Sequence, residues 1–182
     1  MRSIHCECGA ERRSWAFQPD HRVMASVAHV DQQEPTYPGT TSAMHLSTSL
    51  YDRFSLDDGS LDHSFIVGWI ARYPNSTALT SFLDEAVWQR GSSDVWGRIE
   101  MLQRLASELA IPSADSTSGA DDRRWVSALT LGYTHWTELN RGLQFGLGTS
   151  LTLDVIPSDW ATAYGSRTPL TARIIIQQAS RR

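Results

Sequence analysis

The sequence predicts an all-β chain: an antiparallel, up-and-down transmembrane β-barrel, or an open part of one, with about eight to nine strands. Three observations predict it. Apolar and small polar residues alternate with period two over long segments, the pattern of a strand with unlike faces. The clearest of these segments, Leu143 to Asp154, suits a tilted strand crossing a bilayer better than the usual short soluble strand. Seven tryptophans stand in 182 residues, and membrane-interface girdles use Trp in this way.

The elements follow in chain order. Residues 1–13 read as a disordered N-terminal tail, with Arg2, Arg12, Arg13, Cys6 and Cys8 but no strand pattern, and 14–182 as the barrel. A partial first strand is placed at about 14–18. Val23, Ala25 and Val27 oppose Met24, Ser26 and Ala28 in the next. Met44, Leu46, Thr48 and Leu50 then oppose His45, Ser47 and Ser49. After a turn at Asp57, Asp58 and Gly59, the residues Phe65, Val67 and Trp69 oppose Ser64, Gly68 and Arg72, although Ile66 and Ile70 blur the alternation. Two weaker strands are expected at about 78–88 and 94–104; Asp84 and Glu85 interrupt the first.

Ile99, Leu102, Leu105 and Leu109 have helical spacing, so the second is kept as a strand to about residue 104 and a short helix is allowed in the following loop, ended by Pro112. Ser113 to Asp122 reads as a loop. Leu129, Leu131 and Tyr133 oppose Ala128, Thr130, Gly132 and Thr134. A turn at Asn140, Arg141 and Gly142 leads into the clearest strand, where Leu143, Phe145, Leu147, Thr149, Leu151 and Leu153 share one face. In the last strand Ala172, Ile174 and Ile176 oppose Thr171, Arg173 and Gln177.

Connections alternate in length. Short ones fall near 19–21, 52–60, 89–93 and 137–141; longer ones fall near 31–39, 105–123 and 155–169, with a short link at 73–77. Short turns at one end and long loops at the other match outer-membrane barrels. Phe17, Tyr51, Phe54, Trp88 and Trp136 gather towards the turn end, and Trp69, Trp125 and Tyr164 towards the loop end.

Several segments together resemble a family of poorly characterised bacterial outer-membrane barrels. They are Gly97-Arg98-Ile99-Glu100, Leu129 to Tyr133, Phe145 to Leu153, the loop Val155 to Gly165, then Pro169 and the final Arg173 to Ile176. The similarity reaches back to about Trp15 and implies the C-terminal strands of a larger barrel. One extra residue separates Gly165 from Pro169, and the chain ends without the terminal aromatic common in such proteins. The resemblance implies bacterial outer-membrane localisation, outer-membrane lipid and the barrel assembly machinery as partners, and no catalytic activity.

Composition narrows the classes. A formal charge of -4 and pI near 5.8 argue against a nucleic-acid partner. No apolar window approaches the length of a membrane-spanning helix. Mean hydropathy is -0.31, which a barrel tolerates because only alternate residues are apolar. The N-terminus lacks the apolar stretch of a secretion signal, so an exported barrel would place this start inside a longer chain.

No cofactor and no metal site is expected. The Cys6 and Cys8 pair supplies too few ligands for a closed zinc site. The histidines at 5, 21, 29, 45, 63 and 135 lack a metal-binding spacing; adjacent strands could bring His29 and His45 near one another, but a wet interior or loop position suffices for both. No G-x-S-x-G elbow is present. Asp115 to Asp122 fails the calcium-loop pattern. Gly132, Gly146 and Gly148 relieve crowding rather than bind phosphate, since no helix follows them.

Arg98 and Glu100 share a face, and the lumen is the cheaper side for both. They read as a salt-bridge network bracing the barrel, or as a charged constriction tuning the passage of a small solute; Arg72 and Arg173 join them as lumen-facing candidates. Leu129, Leu131, Tyr133, Phe145, Leu147 and Leu151 are the lipid-facing candidates. The function expected is a pore or scaffold without catalysis. The competing class is a soluble periplasmic or extracellular β-sandwich that binds a partner, and a third option is a barrel enzyme acting on lipids.

Overall fold

The computed structural model describes residues 8–30, 42–73, 78–106, 123–140 and 143–180. They form nine strands: β1 (Cys8–Gln18), β2 (His21–Val30), β3 (Ser42–Leu56), β4 (Gly59–Tyr73), β5 (Ala78–Arg90), β6 (Ser93–Leu105), β7 (Arg123–Asn140), β8 (Leu143–Val155) and β9 (Leu170–Ser180). A four-residue helix, α1 (Ala161–Tyr164), lies between β8 and β9. All nine strands join one antiparallel sheet in chain order, so the all-β, up-and-down expectation holds. The sheet is open, with β1 and β9 at its edges.

The strand boundaries correct two readings, the first strand and the stretch 52–60, and bear out the strand kept to about residue 104. The first strand is complete: Cys8 to Ala16 pairs rung by rung with Val30 to Arg22, so residues 8–13 belong to the sheet rather than to a tail. Glu11, Arg12 and Arg13 hide it from a hydropathy pattern because an edge strand does not need apolar side chains. The helical spacing after Ile99 does not set the backbone; β6 runs to Leu105, held between β5 and β7. The helix allowed after it falls largely outside the described residues. The long hairpin of β3 and β4 pairs down to Leu56 and Gly59, so the turn is 57–58 and most of the stretch 52–60 is strand.

At one end of the sheet, two-residue connections at 19–20, 57–58 and 91–92 join the strands, and Gly91 there has a φ of 59°. A side chain is strained at that φ, which is why Gly holds the position. Of the connections at the other end, 156–169 is described. It folds back on the sheet: Trp160, 2% exposed, packs with Ile156, Ala106 and Val126. Asp159 accepts a hydrogen bond from Nε of Arg124 at 2.9 Å, and the amide of Ile156 donates to the Arg167 carbonyl at 2.9 Å.

Register ties every strand to its neighbours and so fixes two faces. One carries Val27, Leu46, Leu50, Phe65, Ile99, Leu129, Leu131, Leu147, Leu151 and Ile174, all exposed. The opposite one carries Thr130, Thr134 and Ser150, all buried. A flat single layer would expose both faces alike. Burial of small polar residues on one face alone means that the sheet curls towards it, so the polar face is the inner one. Apolar outside and polar inside reverses the order of a soluble domain.

Candidate functional site

The inner face is built from cross-strand polar contacts. Thr130 and Thr152 hydroxyls lie 2.9 Å apart, and those of Ser26 and Ser47 lie 2.7 Å apart. Tyr51 Oη donates to Asp62 Oδ1 at 2.8 Å, and Trp136 Nε1 donates to Asp94 Oδ2 at 2.6 Å. Glycines make room for the larger inner side chains. A Cβ at Gly132 would run into the Trp96 ring, and one at Gly146 would meet the Trp136 ring at 2.9 Å. The glycines therefore serve packing, as expected of them.

Arg98 and Glu100 lie on this inner face of β6. Arg98 Nη2 donates to Glu100 Oε1 at 2.6 Å, and Nη1 stands 4.0 Å from Glu85 Oε2. Arg98 Nε is buried with no hydrogen-bond partner. Glu85 faces Arg98 directly across β5 and β6, a partner that its break in the alternation of β5 does not reveal. The rung containing this pair continues through Ser64 on one side and Thr130 and Thr152 on the other. A polar belt thus crosses at least five strands. Arg72 and Arg173 share the inner face but stand apart from this cluster, Arg72 near the loop end of β4 and Arg173 on the edge strand β9.

The outer face carries the lipid-facing candidates. Leu129, Leu131, Tyr133, Leu147 and Leu151 are exposed, Leu131 at 60%, and Phe145 on the same face is half-buried. From β6 to β9 this face carries no carboxylate, and Tyr133 and His135 lie on it beside Ser93. From β2 to β5 it carries two. His21, Asp52 and His63 are direct cross-strand partners, and Asp84 lies one rung from His63. His21 Nδ1 is 2.7 Å from Asp52 Oδ1; His63 Nδ1 is 3.8 Å from Asp52 Oδ2; His63 Nε2 is 2.6 Å from Asp84 Oδ1. Four strands each contribute one member to a continuous row of alternating imidazole and carboxylate.

Sequence reasoning missed this row. Asp84 breaks the alternation of β5 without interrupting the strand, because His63 satisfies its carboxylate. His29 and His45, by contrast, do not meet. His29 pairs with Met44 and His45 with Ala28, a one-residue offset that puts them on opposite faces.

Among the described residues no group of three or more His, Cys, Asp or Glu is arranged to hold a metal ion. No hydroxyl or thiol nucleophile stands in the row, and its apolar neighbours are Val23, Leu50 and Phe65. The arrangement of alternating imidazoles and carboxylates can bind and align polar groups. Comparison with protein-family models, with curated proteins and with solved structures returns no match to this chain.

Proposed function

We propose that this chain is a wall of a bacterial outer-membrane β-barrel, a pore or scaffold without catalysis, made of strands from a larger barrel. The observation that carries the reading is the reversed pair of faces: exposed leucines and isoleucines outside, buried threonine and serine inside. Lipid rewards that order and water does not. Strand lengths of 10–18 residues reach across a hydrocarbon core when tilted, and the continuous ladders leave only the two edges to be satisfied. On this reading the belt around Arg98, Glu85 and Glu100 braces the inner wall, outer-membrane lipid covers the leucine face, and the barrel assembly machinery is the folding partner.

The test is extraction and gel mobility. The chain should need detergent for extraction and should run faster in unheated than in boiled samples. A protein that stays dispersed in buffer without detergent contradicts the reading.

A second reading has one observation in its favour. The His and Asp row on the outer face suits contact with protein or water better than contact with acyl chains. In a soluble β-sandwich the apolar face would pack on a second sheet, and the chain would be a binding module.

A further inference from the structure

We propose that the outer face of β2 to β5 is the contact surface of a two-fold dimer of this chain, centred on the His21, Asp52, His63 and Asp84 row. The row cannot be ordinary apolar surface. Its members stand among exposed Leu50, Phe54 and Phe65, while the outer face of β6 to β9 carries no carboxylate. Ionisable side chains kept inside an apolar band pair with one another or with a partner. Here they pair within the chain through contacts of 2.7, 3.8 and 2.6 Å, and Asp84 keeps 45% of its side chain exposed. The row is therefore held together and still presents charge outward.

The order of the row identifies the partner. Read from β2 to β5 it is His, Asp, His, Asp; read backwards it is Asp, His, Asp, His. A two-fold axis parallel to the strands, passing between β3 and β4, reverses the order. It sets β3 against β4 of the second copy and β2 against its β5. Asp52 then faces His63 of the second copy and the reverse, and His21 comes within one rung of its Asp84. No histidine meets a histidine. A second copy is thus the charge-complementary occupant that the row itself specifies.

Shape points the same way. A groove of about 470 Å³ lies on this face beside the row, lined by Trp15, Ala25, Val27, Leu46 and Thr48 and by the Glu11 and Arg13 pair. Ala25, Thr48, Val67 and Phe82 form one rung. The same axis sets Ala25 against Phe82 of the second copy and Thr48 against its Val67, small residues against large. The inference goes beyond the barrel reading, because two such faces can pack within a membrane or in water.

Two complementary variants test it. One, His21→Asp with His63→Asp, makes the row wholly acidic; the other, Asp52→His with Asp84→His, makes it wholly histidine. Sedimentation in the detergent or buffer that each requires should show the wild-type chain as a dimer. Each variant alone should dissociate about tenfold or more readily, and an equimolar mixture should recover the dimer. A monomeric wild-type chain, or variants that dimerise alone as well as the mixture does, would overturn the proposal. A second measurement avoids altering the row. With Cys6 and Cys8 changed to Ser, the variant Ala25→Cys with Phe82→Cys should oxidise to a band of twice the chain mass. These positions lie three strands apart, too far for a bridge within one chain. Cross-linking no greater than that of a control with Leu151→Cys in place of Phe82→Cys would also overturn it.

Discussion

Single residues on the inner face are constrained by crowding, and those on the outer face by what covers them. Gly132 lies where any side chain would strike the Trp96 ring. Gly132→Leu should therefore destabilise the sheet by about 1–3 kcal/mol, read as a lower denaturant midpoint by tryptophan fluorescence. Leu151 has the opposite situation, exposed on the outer face near the middle of β8. Leu151→Arg should cost about 2–4 kcal/mol in a folded membrane barrel and almost nothing in water, measured by folding into lipid vesicles. At this scale the sequence was legible wherever a face had one chemical character, as in Leu147, Thr149 and Leu151 against Gly148, Ser150 and Thr152. It was not legible for His21, Asp52, His63 and Asp84. Separations of 31, 11 and 21 residues collapse into one row only once the register of three hairpins is known.

Elements differ in how far their own sequence decides them. β7 and β8 announce themselves by alternation, and the structure pairs Leu129 with Leu153 and Leu131 with Leu151 as that pattern requires. β4 is blurred because Ile66 and Ile70 are inner-face residues that happen to be apolar. β1 shows no pattern, since its pairing with β2 and not its side chains makes it a strand. The β8 to β9 connection behaves as an element too, anchored by Trp160 against Ile156, Ala106 and Val126 and by Arg124 on Asp159. Trp160→Ala should release it without unfolding the sheet, because these contacts involve only one corner. Trypsin should then cut after Arg167 several-fold faster than in the parent chain, with the melting temperature of the strands almost unchanged. Loss of the strands' own transition would show that the loop's anchor is part of the global core.

At the scale of the whole molecule, the described residues make a ribbon of nine strands with β1 and β9 at its edges. An odd count makes β1 and β9 run in the same direction, so a wholly antiparallel ring requires an odd number of further strands between them. That geometry supports the reading of a part of a larger barrel. The two ends should lie on opposite sides of the membrane. A tag placed at Ser166, in the long-loop end, should bind antibody on intact cells, and a tag at Ser92, in a two-residue turn, should bind only after permeabilisation; the reverse would invert the topology. The most direct measurement concerns the two faces. Single cysteines replace Leu147 and Leu151 outside, and Thr130 and Ser150 inside, with Cys6 and Cys8 changed to Ser, and the chain is folded into vesicles. A lipid-soluble maleimide should label positions 147 and 151, while a water-soluble one should leave them unmodified. Equal access of the water-soluble reagent to both faces would show that the leucine face meets water, and would contradict the membrane reading.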